Sequence, residues 1–296
     1  MKIDLHSHST RSDGRETPTV VFETAAEAGV DILALTDHDT ASGWAEASAA
    51  ASRLGLGFVP GIEVTTRAKI HRGDANFFIA VHLLAYLPDP NHEGLAAVLG
   101  DSVESRIGRA QKIVERLSAD FDITWQHVLE QLDEGATVGR PAIADALIQL
   151  GAATDRGEAF ERILGKGGKY YVPNETTDVF EAIGLILDAG GVPVIAHPLG
   201  GAGSEGRVVR RDDLPQAHFE ELIAAGLAGF EVYHREVPEA AREWMLGLAA
   251  KHDLIVTGSS DYHGLDGKPN RLGENLTSPE MLDRIIEQAS GTPAQL

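Results

Sequence analysis

The chain contains no cysteine among its 296 residues. Disulfide bonds and thiolate metal ligands are therefore excluded, and any bound metal must be held by imidazole and carboxylate groups, which suit Mn, Fe, Zn or Mg. No apolar run approaches the ~18 residues that a membrane-spanning helix needs. The N-terminus also lacks the charged, apolar and small-residue zones of a signal peptide. We expect a cytoplasmic protein without a membrane partner.

Positive charge is scarce in this sequence. The 25 lysines and arginines face 45 aspartates and glutamates, which gives a formal net charge of -20. Because duplex nucleic acids are bound through Lys and Arg that neutralise phosphates, duplex DNA is excluded as an expected partner. A small phosphorylated molecule remains possible, since metal ions and one or two arginines can hold it inside an acidic surface.

Short apolar runs alternate with helical patterns over most of the chain. The predicted strands are 32–35, 58–62, 77–81, 192–196, 229–233 and 254–257, and the predicted helices between them are 18–28, 42–54, 180–188 and 238–252. Pro238 is expected in the first turn of the last helix. Such alternation predicts an α/β fold with a mainly parallel sheet.

The middle of the chain has a different pattern. Residues 102–117 carry apolar side chains at helical spacing, and further helices are predicted at 125–132 after the cap Thr124, at 142–150 after Pro141, and from the cap Thr154 to 164. With little strand signal here, residues 101–175 are expected to form a helical insertion. The host domain then consists of residues 1–100 and 176–296.

Histidines and carboxylates recur at or near the ends of the predicted strands. His6 and His8 are two residues apart, so on a strand they project from the same face and can share a metal, although such a pair is also common on surfaces and in cores. Asp13 follows in an Asp-Gly turn, and His38 follows the strand 32–35. Of its neighbours Asp37 and Asp39, one is expected to cap the next helix.

The complete set has nine members of this kind. They are His6, His8, Asp13, His38, Glu63, His82, His197, Asp261 and His263. In a parallel α/β fold the carboxyl ends of the strands meet at one edge or rim, where ligand-binding groups are found. Six imidazoles and three carboxylates can hold two or three divalent ions if one carboxylate bridges.

Five sequence motifs carry a resemblance to a known family. The segments Asp4-Leu5-His6-Ser7-His8, Thr36-Asp37-His38-Asp39, Gly61-Ile62-Glu63, Ala196-His197-Pro198 and Ser260-Asp261-Tyr262-His263 resemble the polymerase and histidinol phosphatase (PHP) family of phosphoesterases. This resemblance implies a distorted (β/α)7 barrel. The helical insertion resembles the subgroup that contains 3',5'-nucleoside bisphosphate phosphatases, AMP-releasing phosphoesterases and 5'-to-3' exoribonucleases.

The resemblance also implies a trinuclear metal site. His6, His8 and Asp261 would hold one ion, Asp13, His38 and His263 the second, and His82 and His197 the third, with Glu63 bridging. Mn²⁺ is the expected ion, with Fe²⁺, Zn²⁺ and Mg²⁺ as alternatives. A metal-activated water would be the nucleophile. The implied catalytic residues are Asp13, Glu63, His197 and Arg140.

Arg140 is also a candidate for substrate binding. In Gly139-Arg140-Pro141 the proline predicts a helix start, where free N–H groups and the helix dipole favour anions. A guanidinium at this place can bind phosphate with two hydrogen bonds. The alternative is a surface arginine paired with Asp145 or Glu134.

Weaker candidates surround these residues. The family resemblance near Lys169 makes it a second substrate-binding candidate, and His234, which follows the strand 229–233, is a third. His71 is expected in a solvated polar loop, with a metal-ligand role in place of His82 as the alternative. Arg207, Arg210 and Arg211 form a basic segment that is either a solvated loop or a lid.

The leading hypothesis is a metal-dependent phosphoesterase that hydrolyses nucleotide phosphomonoesters. A 5'-to-3' exoribonuclease on short RNA is the nearest alternative, because it would use the same metals. A metal-dependent amidohydrolase is a different class, but such enzymes usually lack the Asp261–His263 pair and the Gly-Arg-Pro helix. A non-catalytic PHP module is the last alternative, and those modules often lose ligands that this chain keeps.

Overall fold

The computed structural model describes residues 1–72, 75–132, 138–173, 176–199 and 216–296. In chain order its elements are β1 (Ile3–Asp4), α1 (Pro18–Glu27), β2 (Ile32–Leu35), α2 (Trp44–Leu54), β3 (Gly57–Arg72), β4 (Ala75–Tyr86), α3 (Glu93–Leu117), α4 (Trp125–Leu129), α5 (Arg140–Gln149), α6 (Arg156–Arg162), β5 (Thr177–Asp178), α7 (Val179–Asp188), β6 (Val192–Ile195), α8 (Gln216–Ala224), β7 (Gly229–Tyr233), α9 (Glu239–His252), β8 (Ile255–Gly258) and α10 (Pro279–Gln288).

Seven strands form a nearly closed barrel in the order β1-β2-β3-β4-β6-β7-β8, while β5 pairs separately with β3. Neighbours along this order are parallel, except that β4 is antiparallel to both β3 and β6. The two ends of the sheet meet beyond β1 and β8. There the backbone N–H of His8 donates to the carbonyl of Tyr262 at 2.8 Å, and that of Asp261 donates to the carbonyl of His6 at 3.0 Å. The α/β barrel prediction is confirmed.

Apolar side chains pack on both the inner and the outer face of the barrel. One buried cluster, which includes Leu5, Ala34, Val59, Leu84 and Val194, lies among the strands. A second cluster packs β3, β4, β6 and β7 against α7, α8 and α9, and a third packs β2 against α1 and α2. Strand β2 is buried along its whole length, as expected for a parallel strand covered on both faces.

Helix α3 joins the barrel to the helical region that follows. Its Leu95 and Leu99 pack in the barrel cluster. Further along, its Ile113 and Leu117 pack in a separate cluster with helices α4 to α6. A single helix of 25 residues therefore spans the boundary predicted at 100/101. The division into 1–100, 101–175 and 176–296 stays a prediction.

Four local predictions need correction. The strands expected to end at 62 and 81 continue as the long antiparallel hairpin β3–β4, so His71 lies in a strand by its backbone rather than in a loop. Asp155, not Thr154, is the N-cap of α6, since its carboxylate accepts the N–H of Glu158. Pro238 is the N-cap of α9 rather than a first-turn residue.

Within the described residues, no helix is both long and apolar enough to cross a membrane.

Candidate metal centre

The nine predicted ligands lie together at the rim formed by the carboxyl ends of the parallel strands. His6 and His8 follow β1, Asp13 precedes α1, His38 follows β2, Glu63 and His82 lie within the β3–β4 hairpin, His197 follows β6, and Asp261 and His263 follow β8. The prediction that Glu63 and His82 follow strand ends is wrong. They reach the rim because the hairpin extends past it, with Glu63 opposite Leu84 and Thr65 opposite His82.

The first group of donor atoms is fully buried and contains His6, His8, Glu63 and Asp261. Nε2 of His6 and Nε2 of His8 are 3.0 Å apart. Oε2 of Glu63 lies 3.1 Å from the first and 3.0 Å from the second. Oδ1 of Asp261 lies 3.5 and 3.2 Å from the same two nitrogens. Four donors thus converge from three different parts of the chain.

The second group is centred on Asp13. Its Oδ1 lies 3.1 Å from Nε2 of His263 and 3.8 Å from Nδ1 of His8, and its Oδ2 lies 4.0 Å from Nε2 of His38. His8 therefore faces the first group with Nε2 and this one with Nδ1.

The third group lies around the second oxygen of Glu63. Oε1 of Glu63 lies 2.8 Å from Nδ1 of His82 and 3.2 Å from Nε2 of His197. Its Oε2 lies 3.3 Å from Nδ1 of His38. One carboxylate thus contacts five of the six candidate imidazoles, which is the position that a bridging ligand requires.

Divalent ions fit this donor set. The candidate donor atoms lie within 4.8 Å of one another in three sets, the spacing expected of ligands that surround one ion at about 2.1 Å. The sets are His6, His8, Glu63 and Asp261; His8, Asp13, His38 and His263; and His38, Glu63 and His82. Four buried atoms, Oδ1 of Asp13, Nδ1 of His38, Nε2 of His234 and Nε2 of His263, have no hydrogen-bond partner among the described residues. Buried polar atoms are rarely left in this state, and bound cations would satisfy them.

The electrostatics reflect the same packing. Burial opposes ionisation of Glu63, but the neighbouring charges of His38, His6 and His82 hold the pKa of its carboxyl well below the usual range. Burial likewise opposes protonation of His8, yet its hydrogen bonds to Asp261 and Glu63 raise its pKa to about 9. The pKa of His6 is also raised well above its usual value by Glu231, Glu63 and Asp261, against the effect of burial. In the metal-free centre, protons on His6 and His8 therefore neutralise part of the negative charge of the carboxylates.

Glu231 is a buried residue at this rim that the sequence analysis missed. Its Oε1 accepts the Nδ1–H of His6 at 2.9 Å, and its Oε2 accepts the backbone N–H of His197 at 2.7 Å. The hydroxyl of Ser259 donates to the same carboxylate. A carboxylate on the far nitrogen fixes the tautomer and the ring orientation of a metal-binding histidine. A lone acid inside the apolar strand 229–233 was the signal that could have revealed it.

His197 itself has a strained backbone, with φ at 30°. Non-glycine residues rarely adopt positive φ, and they do so where the surroundings enforce it. The hydrogen bond from the His197 N–H to Glu231 is one such restraint. Asp39 and Asp261 also have positive φ, at 55° and 54°, so strain is concentrated around the centre.

The two acids next to His38 do not cap a helix, and that prediction is wrong, because α2 has Gly43 as its N-cap. Asp37 accepts the N–H and hydroxyl of Ser9 at 2.8 and 2.7 Å. Asp39 accepts the N–H and hydroxyl of Thr65 at 2.7 and 2.8 Å. Both carboxylates therefore anchor the loop of His38, one to the loop after β1 and the other to strand β3.

Two cations near the centre were also missed. Arg106 on helix α3 donates to Asp39 and, at 2.8 Å, to the hydroxyl of Thr65. Lys268 donates to Oδ2 of Asp261 at 2.7 Å. Neither stands in a motif or pattern that distinguishes it from other charged residues, so the sequence offered no signal for them.

The substrate-binding candidates occupy different environments. His234 is fully buried, with Nε2 3.7 Å from Oδ2 of Asp261, so it lies beside the first donor group, and its role toward substrate stays a prediction. Arg140 begins α5, is only 8% exposed, and has its guanidinium carbon 5.4 Å from the ring centroid of Phe160. The surface pairing considered for it is wrong for Asp145, whose carboxylate binds Arg15 and Arg156; Glu134 lies outside the described residues.

Lys169 is the most exposed of the candidates. Its ammonium lies 2.5 Å from Oδ2 of Asp120, and two-thirds of its side chain is exposed. Its role toward substrate stays a prediction. Arg207, Arg210 and Arg211 lie outside the described residues.

Comparison with known proteins gives a consistent result. A family model described as PHP domain matches residues 4–137. The chain is 34% identical over 288 residues to the 3',5'-nucleoside bisphosphate phosphatase of Chromobacterium violaceum, covering 96% of this chain and 93% of the relative. It is 33% identical over 285 residues to a 5'-3' exoribonuclease of Haemophilus influenzae, covering 96% and 97%. The crystal structure of a proposed metal-dependent phosphoesterase from Bifidobacterium adolescentis matches with a TM-score of 0.88 and 40% identity, covering 97% of this chain and 96% of that one.

Proposed function

Because the chain belongs to the PHP family of metal-dependent phosphoesterases, we propose that its substrates are nucleotide phosphomonoesters, with 3',5'-nucleoside bisphosphates and AMP-like molecules as the expected members. The observation that carries this proposal is the convergence of nine imidazole and carboxylate side chains at one rim of the barrel. The similarity to a bisphosphate phosphatase along 93% of its length supports the substrate class.

We propose three divalent ions, with Mn²⁺ as the native metal. His6, His8 and Asp261 would hold the first, Asp13, His38 and His263 the second, and His82 and His197 the third, with Glu63 bridging. When bound, such ions lower the pKa of a water molecule and stabilise the negative charge that develops on phosphoryl oxygens. Mn²⁺ accepts both imidazole and carboxylate ligands, which are the two kinds that this centre offers.

The protein's own side chains have separate tasks. Asp13, Glu63 and His197 are the proposed catalytic residues of the centre. Glu231 keeps the Nε2 atom of His6 directed at the donor group by accepting its Nδ1–H. Burial of His6 and Asp261 excludes bulk water, which strengthens each electrostatic interaction inside the centre.

Substrate binding is assigned to the helical region and to one buried histidine. Arg140 stands at the N-terminus of α5, where its guanidinium and the free N–H groups of the first turn favour a phosphate. We propose Arg140, with Lys169 and His234, as the residues that bind the nucleotide. In this proposal the insertion of residues 101–175 completes the substrate site of the barrel.

The exoribonuclease activity of the Haemophilus influenzae relative is the second candidate, because the same centre could hydrolyse the phosphodiesters of short RNA. One solved structure that matches, with a TM-score of 0.80 and 31% identity, is described as an amidohydrolase from Chromobacterium violaceum. The relatives matched by sequence are instead a phosphatase, an exoribonuclease and a diphosphodiesterase, which favour phosphoester hydrolysis. A non-catalytic module receives no such support, because the chain keeps all nine candidate ligands.

The test combines metal analysis with a substrate series. Purified protein is analysed for bound metal and assayed for phosphate release from AMP, 3',5'-bisphosphates and short 5'-phosphorylated RNA, with and without chelator. Metal-dependent phosphate release that is lost in Glu63→Gln and kept in the surface control Glu23→Gln is expected. A protein that binds no transition metal and releases no phosphate from any of these molecules would contradict the proposal.

A further inference from the structure

The β3–β4 hairpin continues well beyond the metal centre. Strands β3 and β4 have 16 and 12 residues, and Glu63 and His82 lie in their interiors. Going outward, Thr65 lies opposite His82, Arg67 opposite Ala80, and Lys69 opposite Phe78. Directly opposed residues and every second residue of a strand share one face, so these six side chains form a continuous row.

The direction of this row follows from what the other face contacts. The alternate residues Val64, Ala68, Ile70 and Leu83 are buried in the core cluster that packs against the outer helices. The row of Arg67, Lys69 and Phe78 is therefore the outward continuation of the inner barrel face that carries Glu63 and His82. We call these three residues the hairpin ledge.

The ledge combines an exposed aromatic ring with cations. Phe78 is 51% exposed, although large apolar side chains are usually buried. The guanidinium carbon of Arg67 lies 4.8 Å from the centroid of its ring, and Lys69 is exposed on the opposite strand. Arg106 lies at the base of the ledge, where it donates to Thr65, but its charge is compensated by Asp39.

Two features of the ledge match a single-stranded nucleic acid. Such strands are bound by positive grooves along the backbone and by aromatic rings on which bases stack, without a need for a particular sequence. The whole chain has a net charge of -20. The positive charges of Arg67 and Lys69 beside the metal centre therefore contrast with the rest of the surface and favour an anionic ligand there. From His82 to Phe78 the strand advances about 13 Å, a length that corresponds to several stacked nucleotides at ~3.4 Å each.

We propose that the hairpin ledge binds the nucleotides attached beyond the one whose phosphate reacts, with a base on Phe78 and backbone phosphates on Arg67 and Lys69. This inference rests on the proposed function, and it deepens its second candidate by assigning residues outside the metal centre to the remainder of a short RNA.

Binding is tested on the metal-loaded protein with a fluorescein-labelled, 5'-phosphorylated RNA heptamer whose phosphorothioate linkages resist cleavage. Phe78→Ala is expected to weaken binding by roughly 5- to 100-fold, the range that base stacking on an aromatic ring provides. The double change Arg67→Gln with Lys69→Gln should reduce the slope of log affinity against log salt by about 1.4, since each phosphate contact on a single strand contributes about 0.7. Leu187→Ala, another exposed apolar residue, and Lys2→Gln at the far end of the barrel are the matched controls.

Hydrolysis separates the two proposals. The ledge variants are expected to lose activity on a 5'-phosphorylated trimer or heptamer while activity on a 3',5'-bisphosphate mononucleotide is unchanged. A wild-type protein that does not bind the heptamer, or ledge variants that bind it like the wild type, would overturn the ledge and leave mononucleotide hydrolysis in place. Equal losses on the mononucleotide and the heptamer would also overturn it, since they would reveal damage to the centre. Heptamer binding that depends on Phe78, without phosphate release from any nucleotide, would instead refute the proposed function and retain the ledge.

Discussion

Metal binding is expected to displace protons, and its affinity is expected to rise steeply with pH. A histidine must be neutral to bind a metal. In the metal-free centre, however, His8 is fully buried, and the carboxylates of Asp261 and Glu63 outweigh the effect of burial and raise its pKa to about 9. The pKa of His6 is raised well above its usual value by Glu231, Glu63 and Asp261, again against burial.

The size of this effect follows from His8. Its ordinary pKa is 6.5, so the shift to about 9 stabilises the protonated, metal-free protein by about 3 kcal/mol. This stabilisation is complete below pH 6.5 and is lost as the pH rises through 9. At pH 7 the proton on His8 alone therefore weakens apparent metal affinity about 100-fold relative to pH above 9, because each pH unit below the pKa costs about one factor of ten.

Isothermal titration calorimetry with Mn²⁺ measures both consequences. Titrations at pH 7.5 in two buffers of different ionisation enthalpy count the protons released, and titrations between pH 6.5 and 8.5 give the slope of affinity against pH. His127→Gln, which changes only an exposed capping residue of α4, should behave like the wild type. Release of no protons, together with an affinity that does not change with pH, would refute the reasoning.

Three substitutions test the surroundings of the centre. Glu231→Gln removes the charged acceptor of the His6 Nδ1–H, and metal affinity measured by chelator competition should fall about 10- to 100-fold. Arg140→Ala should lower kcat/KM for nucleotides about 10- to 100-fold, the range of a lost hydrogen bond to a charged group, while metal content by mass spectrometry stays unchanged. Arg106→Met leaves the buried carboxylate of Asp39 without its cation, and the free energy of unfolding in urea should fall by about 1–3 kcal/mol.

A shared control for these substitutions is Arg53→Ala. Its side chain is 54% exposed and pairs with Glu23 on the surface, so it should change neither metal content nor kcat/KM. Unchanged metal affinity in the Glu231 variant would show that Glu231 does not support metal binding. Full activity of the Arg140 variant would show that Arg140 does not bind the phosphate of the substrate. An unchanged free energy of unfolding in the Arg106 variant would show that α3 is held by packing alone.

The sequence predicted most of the barrel because its parallel strands are short, apolar and bounded by turn residues. Strands β2 and β7 were located to the residue, as were the C-terminal end of helix α3 and the cap Thr124, whereas α3 begins nine residues before the predicted start at 102. The hairpin could not be predicted in the same way. Its outer part carries Arg67 and Lys69 on one face and the apolar Ala68 and Ile70 on the other. The polar residues at its end led to the prediction of a loop around His71.

Most of the candidate metal ligands were predictable because histidines and acids recur after separate strands, a pattern that independent surface residues do not produce. The residues that orient these ligands could not be predicted. One of Asp37 and Asp39 was predicted to cap the next helix, and only the fold reveals that Ser9 and Thr65 are their partners. Lys268 is near Asp261, seven positions earlier, because the loop that follows β8 folds back on itself, and no sequence pattern indicates this turn.

The closure of the barrel has a consequence for how the enzyme is synthesised. The hydroxyl of Ser260 contacts the carbonyl of His6 across 254 positions of the chain, and the seam between β1 and β8 runs directly beside the first group of metal donors. Such long-range contacts form late and slow the folding of a domain. A ribosome-bound nascent chain that lacks Asp261 and His263 therefore lacks one member of each of the first two donor groups. We expect these two groups to be complete, and able to bind metal fully, only after the two ends of the sheet have met.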